Sequence, residues 1–309
     1  MASEVTVGLA TILVGCDLSP SADQATDRAV AIAELHGSKI VLVHAQAPDE
    51  VATDGEVDHE VMQQLGEVSA AVRAHEARGL ADRMAQIEAR GIAVDLISRI
   101  GPPDEVLAEA AVERQAELIV IGSHGHTGIA RMLLGSVASS TIRHATCDVL
   151  VCRGPAAGAP FQRPLVATDF SPVSAKVVSH AARVAAPGVP FDVVHAWQLP
   201  AGSWGATLLG QARFPWSTVR DAVLASARSL ADKLVAEHQD LGHPLHVDLV
   251  QGPPASVITH AAERAGNDLI AVGAHGRRGV RRLLLGSVAE STIRHSPCSV
   301  LVVHGDPKS

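Results

Sequence analysis

Displaced by 151 positions, the chain falls on itself. His44 meets His195, Gly101-Pro-Pro meets Gly252-Pro-Pro, Thr141-Ile-Arg-His meets Thr292-Ile-Arg-His, and Cys147 meets Cys298. The first strands need a displacement of 152, which sets Asp17-Leu-Ser-Pro on Asp169-Phe-Ser-Pro. A duplication of this extent requires two halves of one fold, and 309 residues suffice for two ordinary domains. The expected division is a first domain over 1–153, a linker over 154–163 and a second domain over 164–309. Pro, Gly and Ala give the linker the composition of a short, exposed connection.

Within the first half, Thr11 to Cys16 reads as a strand. Ser19-Pro20 then supplies an N-cap and a first-turn proline for a helix ending at Gly37. Ile40 to His44 is a second strand. The acidic segment from Pro48 to Glu60 is expected to be a loop, and a long helix from about Val61 to Arg90 follows. Ala93 to Ser98, Leu118 to Ile121 and Val149 to Cys152 read as further strands, with a helix from Asp104 to Gln115. Strands alternating with helices predict an α/β fold: two tandem open-sheet domains, each a mainly parallel five-stranded sheet with helices on both faces. The second half repeats the order. It differs over Pro200 to Pro215, a loop whose Trp204, with Trp216 just beyond it, suits core packing of one ring or a surface contact.

One stretch recurs with fixed spacing. Gly122 and Gly125 precede Gly135-Ser136 by nine intervening residues, and Gly273 and Gly276 precede Gly286-Ser287 in the same way. Each copy follows an apolar strand and opens a short amphipathic helix. Such a loop lets backbone amides approach an anion, and a helix N-terminus adds unpaired N–H groups and a favourable dipole. Two matched copies therefore read as two phosphate sites, with amides from Gly135 and Ser136 and a hydroxyl from Ser136. In an open parallel sheet, ligands lie beyond the carboxyl ends of the strands. Asp17 and Asp169 end the first strand there and could accept hydrogen bonds from a ribose or an adenine amine, or could begin the next helix through an Asx turn. Ala45 and Ala196 end the second strand, where backbone could meet an adenine edge.

Arg277, Arg278, Arg281 and Arg282 make the second stretch more basic than the first, which has only Arg131. Tighter triphosphate binding by the second half is expected. His124 and His275, between paired glycines, suit loop orientation better than metal ligation, because no ligand spacing accompanies them. His44 and His195 suit packing or loop hydrogen bonding. The His238, His243 and His246 group is dispersed and assigned no metal. Neither stretch holds Gly-Lys-Ser or Gly-Lys-Thr, and no nucleophile elbow is present. Without a poised base, nucleophile or metal cluster, the pattern points to binding over phosphoryl transfer.

The totals bound the partners. A net charge of −8 and a pI near 6.0 argue against a general nucleic-acid binder. No apolar run approaches a membrane span, and the start of the chain lacks a basic signal region, so a cytoplasmic protein is expected. The four cysteines form no C-x-x-C pair and read as buried free thiols of a reducing compartment. Aromatics are only 2%, so a bound base would rest on aliphatic walls.

These features together resemble the universal stress protein family in a tandem form. The resemblance rests on Val14-Gly-Cys-Asp17-Leu-Ser-Pro, on Val166-Ala-Thr-Asp169-Phe-Ser-Pro, on the His-containing second strands and on both glycine stretches, and it covers nearly the whole chain. ATP-binding members of that family carry G-x2-G-x9-G-[ST], which both halves match. The resemblance implies a fold of the adenine nucleotide alpha hydrolase type and ATP, with Mg2+ as its accompanying ion. One site would comprise Asp17, Ala45, Gly122, Gly125, Gly135 and Ser136, the other Asp169, Ala196, Gly273, Gly276, Gly286 and Ser287. It also implies pairing of the two domains within the chain and allows a homodimer. One departure is Ala274, where the first copy has Ser123. The implied function is a nucleotide-dependent stress-response regulator with slow or no hydrolysis; an ATPase or phosphoryl- or adenylyl-transferring enzyme of related fold is the alternative.

Overall fold

The structure, a computed structural model, describes residues 8–47, 59–125, 134–154, 158–199, 216–275 and 285–305. The chain divides into two compact units, the boundary falling between Gly158 and Ala159. In the first half the elements run β1 (Thr11–Gly15), α1 (Pro20–His36), β2 (Lys39–Gln46), α2 (His59–Glu88), β3 (Val94–Ile100), α3 (Pro103–Glu113), β4 (Leu118–Gly122), α4 (Ser136–His144) and β5 (Asp148–Cys152). The second half runs β6 (Pro164–Ala167), α5 (Pro172–Ala182), β7 (Phe191–Trp197), α6 (Trp216–Glu237), a 3₁₀ turn (Gln239–Leu241), β8 (Leu245–Gln251), α7 (Pro254–Ala265), β9 (Leu269–Gly273), α8 (Ser287–His295) and β10 (Ser299–Val303).

Strands β1 and β4 are fully apolar inside, which is the mark of strands covered on both faces. Parallel pairing joins β1 to β2 and to β4, β2 to β3, and β4 to β5, giving the order β3-β2-β1-β4-β5. The second half has the matching order β8-β7-β6-β9-β10. Strand order reverses between β1 and β4, and again between β6 and β9. Right-handed crossovers then put α1 and α2 on one face and α3 and α4 on the other. The reversal leaves a crevice at the carboxyl ends of β1 and β4. Among the described residues no helix is long and apolar enough to cross a membrane.

Caps set the helix bounds. Ser19 accepts the Ala22 N–H at 3.2 Å, Pro20 opens α1, and Gly37 closes it at φ 66°. The second half departs from this plan. Its α5 stops at Ala182, after 11 residues instead of 17, and Pro187-Gly188 keeps the chain from resuming the helix. The freed chain turns and pairs with Phe161, whose N–H donates to the Val184 carbonyl at 3.2 Å and whose carbonyl accepts from Ala186 at 2.8 Å. Phe161 is completely buried although it lies in the segment expected to be an exposed connection. The next two amides, of Gln162 and Arg163, donate to the two oxygens of Asp268 at 2.8 and 2.9 Å.

Of the cysteines, Cys16, Cys152 and Cys298 are buried and Cys147 is half-buried, so the expectation of uniform burial fails at one position. Burial pushes the Cys152 thiol up to about 12. A thiol held protonated is a poor nucleophile. Brief alkylation of the native protein at pH 8 should therefore label Cys147 first and leave Cys152 unmodified until the chain unfolds; peptide mass mapping reads the order.

Candidate functional site at the strand carboxyl edge

Each half builds its edge from one turn. After β1 the chain passes through Leu18 at φ 61°, and after β6 through Phe170 at φ 58°. A left-handed conformation is unfavourable for such side chains and persists only when neighbours hold it. Three contacts do so. Asp17 Oδ1 accepts the Ser19 N–H at 3.0 Å, and Asp169 Oδ1 accepts that of Ser171 at 2.9 Å. The Asx-turn reading of these aspartates is thus realised in both halves. His44 Nδ1 donates to the Cys16 carbonyl at 2.8 Å, and His195 Nδ1 to that of Thr168 at 2.8 Å. Each histidine latches the second strand to the turn after the first. The turn side chain is packed as well: Phe170 lies 4.5 Å from the His195 ring, while Leu18 reaches α2 at Gly79, where a Cβ would stand 3.0 Å from Leu18 Cδ1. A side chain at Gly79 would have to push the Leu18 methyl groups aside.

The glycines meet this turn. A Cβ on Gly122 would stand 2.9 Å from the Ser21 carbonyl carbon, so β4 closes directly against the first turn of α1. A Cβ on Gly125 would stand 2.7 Å from Asp17 Oδ2, so the aspartate lies against the glycine loop with no room for a side chain between them. In β2, Val43 pairs with Gly15, which sets Ala45 level with Asp17 on the neighbouring strand. Ala45 and Ala196 are both half-buried at the ends of their strands. Asp17, Ala45, Gly122 and Gly125 therefore converge on the crevice where the strand order reverses.

The expectation that Gly135 offers its amide to a ligand is corrected. That N–H donates to the Ser123 carbonyl at 2.9 Å, and the Gly286 N–H donates to the Ala274 carbonyl at 2.8 Å. Both bonds close the glycine loop onto the end of the preceding strand. Gly135 and Gly286 serve as N-caps in extended backbone, and the outward donors begin one residue later, at exposed Ser136 and exposed Ser287. Ser123 is buried, and its Oγ lies 2.9 Å from His124 Nδ1. Ala274 cannot make that contact, and His275 Nε2 is buried with no partner. The ring hydrogen bond expected of His124 is thus made with the hydroxyl at 123.

Gly273 ends β9, where a Cβ would stand 3.3 Å from the His275 carbonyl. Gly276 and the arginines Arg131, Arg277, Arg278, Arg281 and Arg282 lie outside the described residues, as does Trp204. Among the described residues no cluster of His, Cys, Asp or Glu could hold a metal.

A feature with no signal in either stretch anchors the helix behind the first site. The Ser140 hydroxyl of α4 donates to Asp104 Oδ2 in the first turn of α3 at 2.5 Å. This bond holds the Asp104 carboxyl below the usual carboxylate range. In the second half Ala255 stands at the position of Asp104, so α8 lacks the tie. A depressed carboxyl contributes stability that is present above its unfolded value, about 3.9, and lost as pH falls through the lower folded value. Asp104→Ala should cost about 1.5–3 kcal/mol at pH 7. Urea titrations at pH 7 and below pH 4 should show the gap between variant and parent narrowing in acid.

The model of the Universal stress protein family matches residues 9–153 and again residues 160–304. A universal stress protein of Mycolicibacterium smegmatis is 29% identical over 299 residues, covering 94% of this chain and 96% of its own. Another, of Mycobacterium tuberculosis, is 28% identical over 305 residues, with 94% of each chain covered. The crystal structure of a universal stress protein from Archaeoglobus fulgidus shares the fold, with a TM-score of 0.62, 22% identity and 97% of each chain covered. With matches across both halves, the chain belongs to the universal stress protein family and carries two of its domains in tandem.

Proposed function

We propose that each half binds ATP at the carboxyl edge of its sheet and that occupancy regulates the protein, with slow or no hydrolysis. The observation that carries this reading is the close approach of Asp17 to Gly125, where an added Cβ would stand 2.7 Å from Oδ2, so that a carboxylate and a side-chain-free loop meet at the edge where the strand order reverses. The first turn of α4, beginning at Ser136, would supply N–H groups for the phosphates, as that of α8 would from Ser287. Asp17 and Asp169 would accept from the ribose or the adenine amine, and Ala45 and Ala196 would leave room beside the base. Gly122 and Gly273 would bring the end of the strand close, Gly125 and Gly276 would line the sugar and phosphates, and Gly135 and Gly286 would set the helix mouth. Mg2+ would enter as the counter-ion of the triphosphate. Neither glycine stretch contains a lysine or an acidic residue, which favours binding over phosphoryl transfer.

Denaturing protein purified without added nucleotide and identifying what is released by mass spectrometry tests the reading. ATP or ADP at up to two equivalents per chain is expected. Release of no nucleotide, together with no ATP binding at millimolar concentration, would remove it.

A further inference from the structure

A half-open cleft of about 680 Å³ lies in the second half between α6 and the β7–β8 edge, a size typical of small-molecule sites. Its lining shares no residue with the glycine stretch or the Asp169 turn. Alternate residues of β8, Leu245, Val247 and Leu249, form an aliphatic wall. Ala231 of α6 faces them, where the first half has Leu80, which is 3% exposed. The smaller side chain leaves room that the first half fills.

The hydrogen-bond donors of the cleft gather at one end. A helix that connects two parallel strands runs back against them, so the first part of α6 lies beside the carboxyl ends of β7 and β8. That places Arg228 near Trp197 and Gln251, which are register partners at those ends. Val235, later in α6, falls toward Leu245. Trp197 is 8% exposed, and its indole Nε1 is buried without an acceptor. Arg228 makes no ion pair among the described residues. Indole and guanidinium are donors only, so the complementary group is an anionic acceptor. Asp232, one turn beyond Arg228 on the same face, puts a negative charge toward the apolar end and disfavours a second anionic group there. The first half has Ala77 and Ile100 where the second has Arg228 and Gln251.

We propose that this cleft is a second ligand site, confined to the second half, for a monocarboxylate with an aliphatic body. Its carboxylate meets Arg228 and Gln251 beside the Trp197 ring, and its chain lies along β8 over Ala231. The site stands independently of the nucleotide reading.

Titrating the full chain with sodium octanoate, and following the tryptophan indole N–H signals by NMR, tests the proposal. The Trp197 signal is assigned by its loss in Trp197→Phe. A saturable shift of that signal is expected. Ala231→Leu, which installs the first-half side chain, should weaken binding at least about tenfold while keeping the fold, and Arg228→Gln should weaken it about tenfold, as loss of one charge-assisted contact does. Octanol should bind about tenfold more weakly than octanoate, and octanedioate should also be weaker. No saturable shift at millimolar octanoate, equal binding by Ala231→Leu, or equal binding of octanol would each overturn the proposal.

Discussion

Phe161→Ala is expected to cost about 3–5 kcal/mol, the largest loss from any single substitution considered for this chain. Phe161 has no exposed surface, and it is bonded through its own backbone to the turn that replaces the last part of an α1-like helix. Truncation would remove a whole ring from a core that has few rings, since aromatics make up only 2% of the sequence. A domain of this size is stable by about 5–15 kcal/mol, so the variant would lose a large share of its margin. Phe161→Leu copies the residue of the first half, Leu9, which is 3% exposed, and should cost less than about 1.5 kcal/mol. Urea denaturation measures both. Hydrogen exchange should place the loss in the second half and leave α1 and β1 protected as before. A cost near zero for the alanine variant would mean that Phe161 is dispensable to the second-half core.

Gly135→Glu and Gly286→Glu should each remove nucleotide from one half. The backbone at both positions is extended, with φ −61°, so any residue can adopt it. The space is tight: a Cβ would stand 3.3 Å from the Ser123 carbonyl oxygen and 3.2 Å from that of Ala274, so that backbone must give by a few tenths of an ångström. Glutamate at a helix N-terminus suits the helix dipole, which offsets part of that cost. A triphosphate at the same mouth would face that carboxylate within a few ångströms, at a cost of about 1–4 kcal/mol per pair of charges. Affinity should fall roughly 10- to 1000-fold at the altered half. Calorimetric titration of the two variants would count the remaining sites. Since the basic residues lie in the second stretch, the variant retaining that half should bind more tightly. Two intact sites in either variant would place the nucleotide elsewhere.

The strand and helix plan was legible because it rests on local signals. Apolar runs of five residues, Ser-Pro starts and Gly stops gave β1, α1 and β4 within a residue or two, and the displacement of 151 carried the same plan into the second half. What escaped depends on distant contacts. Phe161 reads as part of a Pro- and Gly-rich connection until the turn after α5 is seen to receive it. The left-handed Leu18 carries no glycine to announce it, because His44 and the Asx turn hold the strain. The commitment of the Gly135 amide to Ser123 is likewise invisible in a spacing rule, which marks where glycines fall and not where their N–H groups point. The cleft over β8 requires Leu80 and Ala231 to be compared as packing partners, and a motif search has no reason to do so.

The bonds from Gly135 to Ser123 and from Gly286 to Ala274 have an evolutionary corollary. Each ties the start of the helix directly to the residue that follows the strand. Ring-closure entropy grows slowly with length, about 0.6 kcal/mol for each doubling. Composition between the tied ends could therefore drift, one copy accumulating arginines and the other nearly none, while the scaffold outside them stayed unchanged. A tandem chain built this way can retune one half's chemistry without re-solving its architecture.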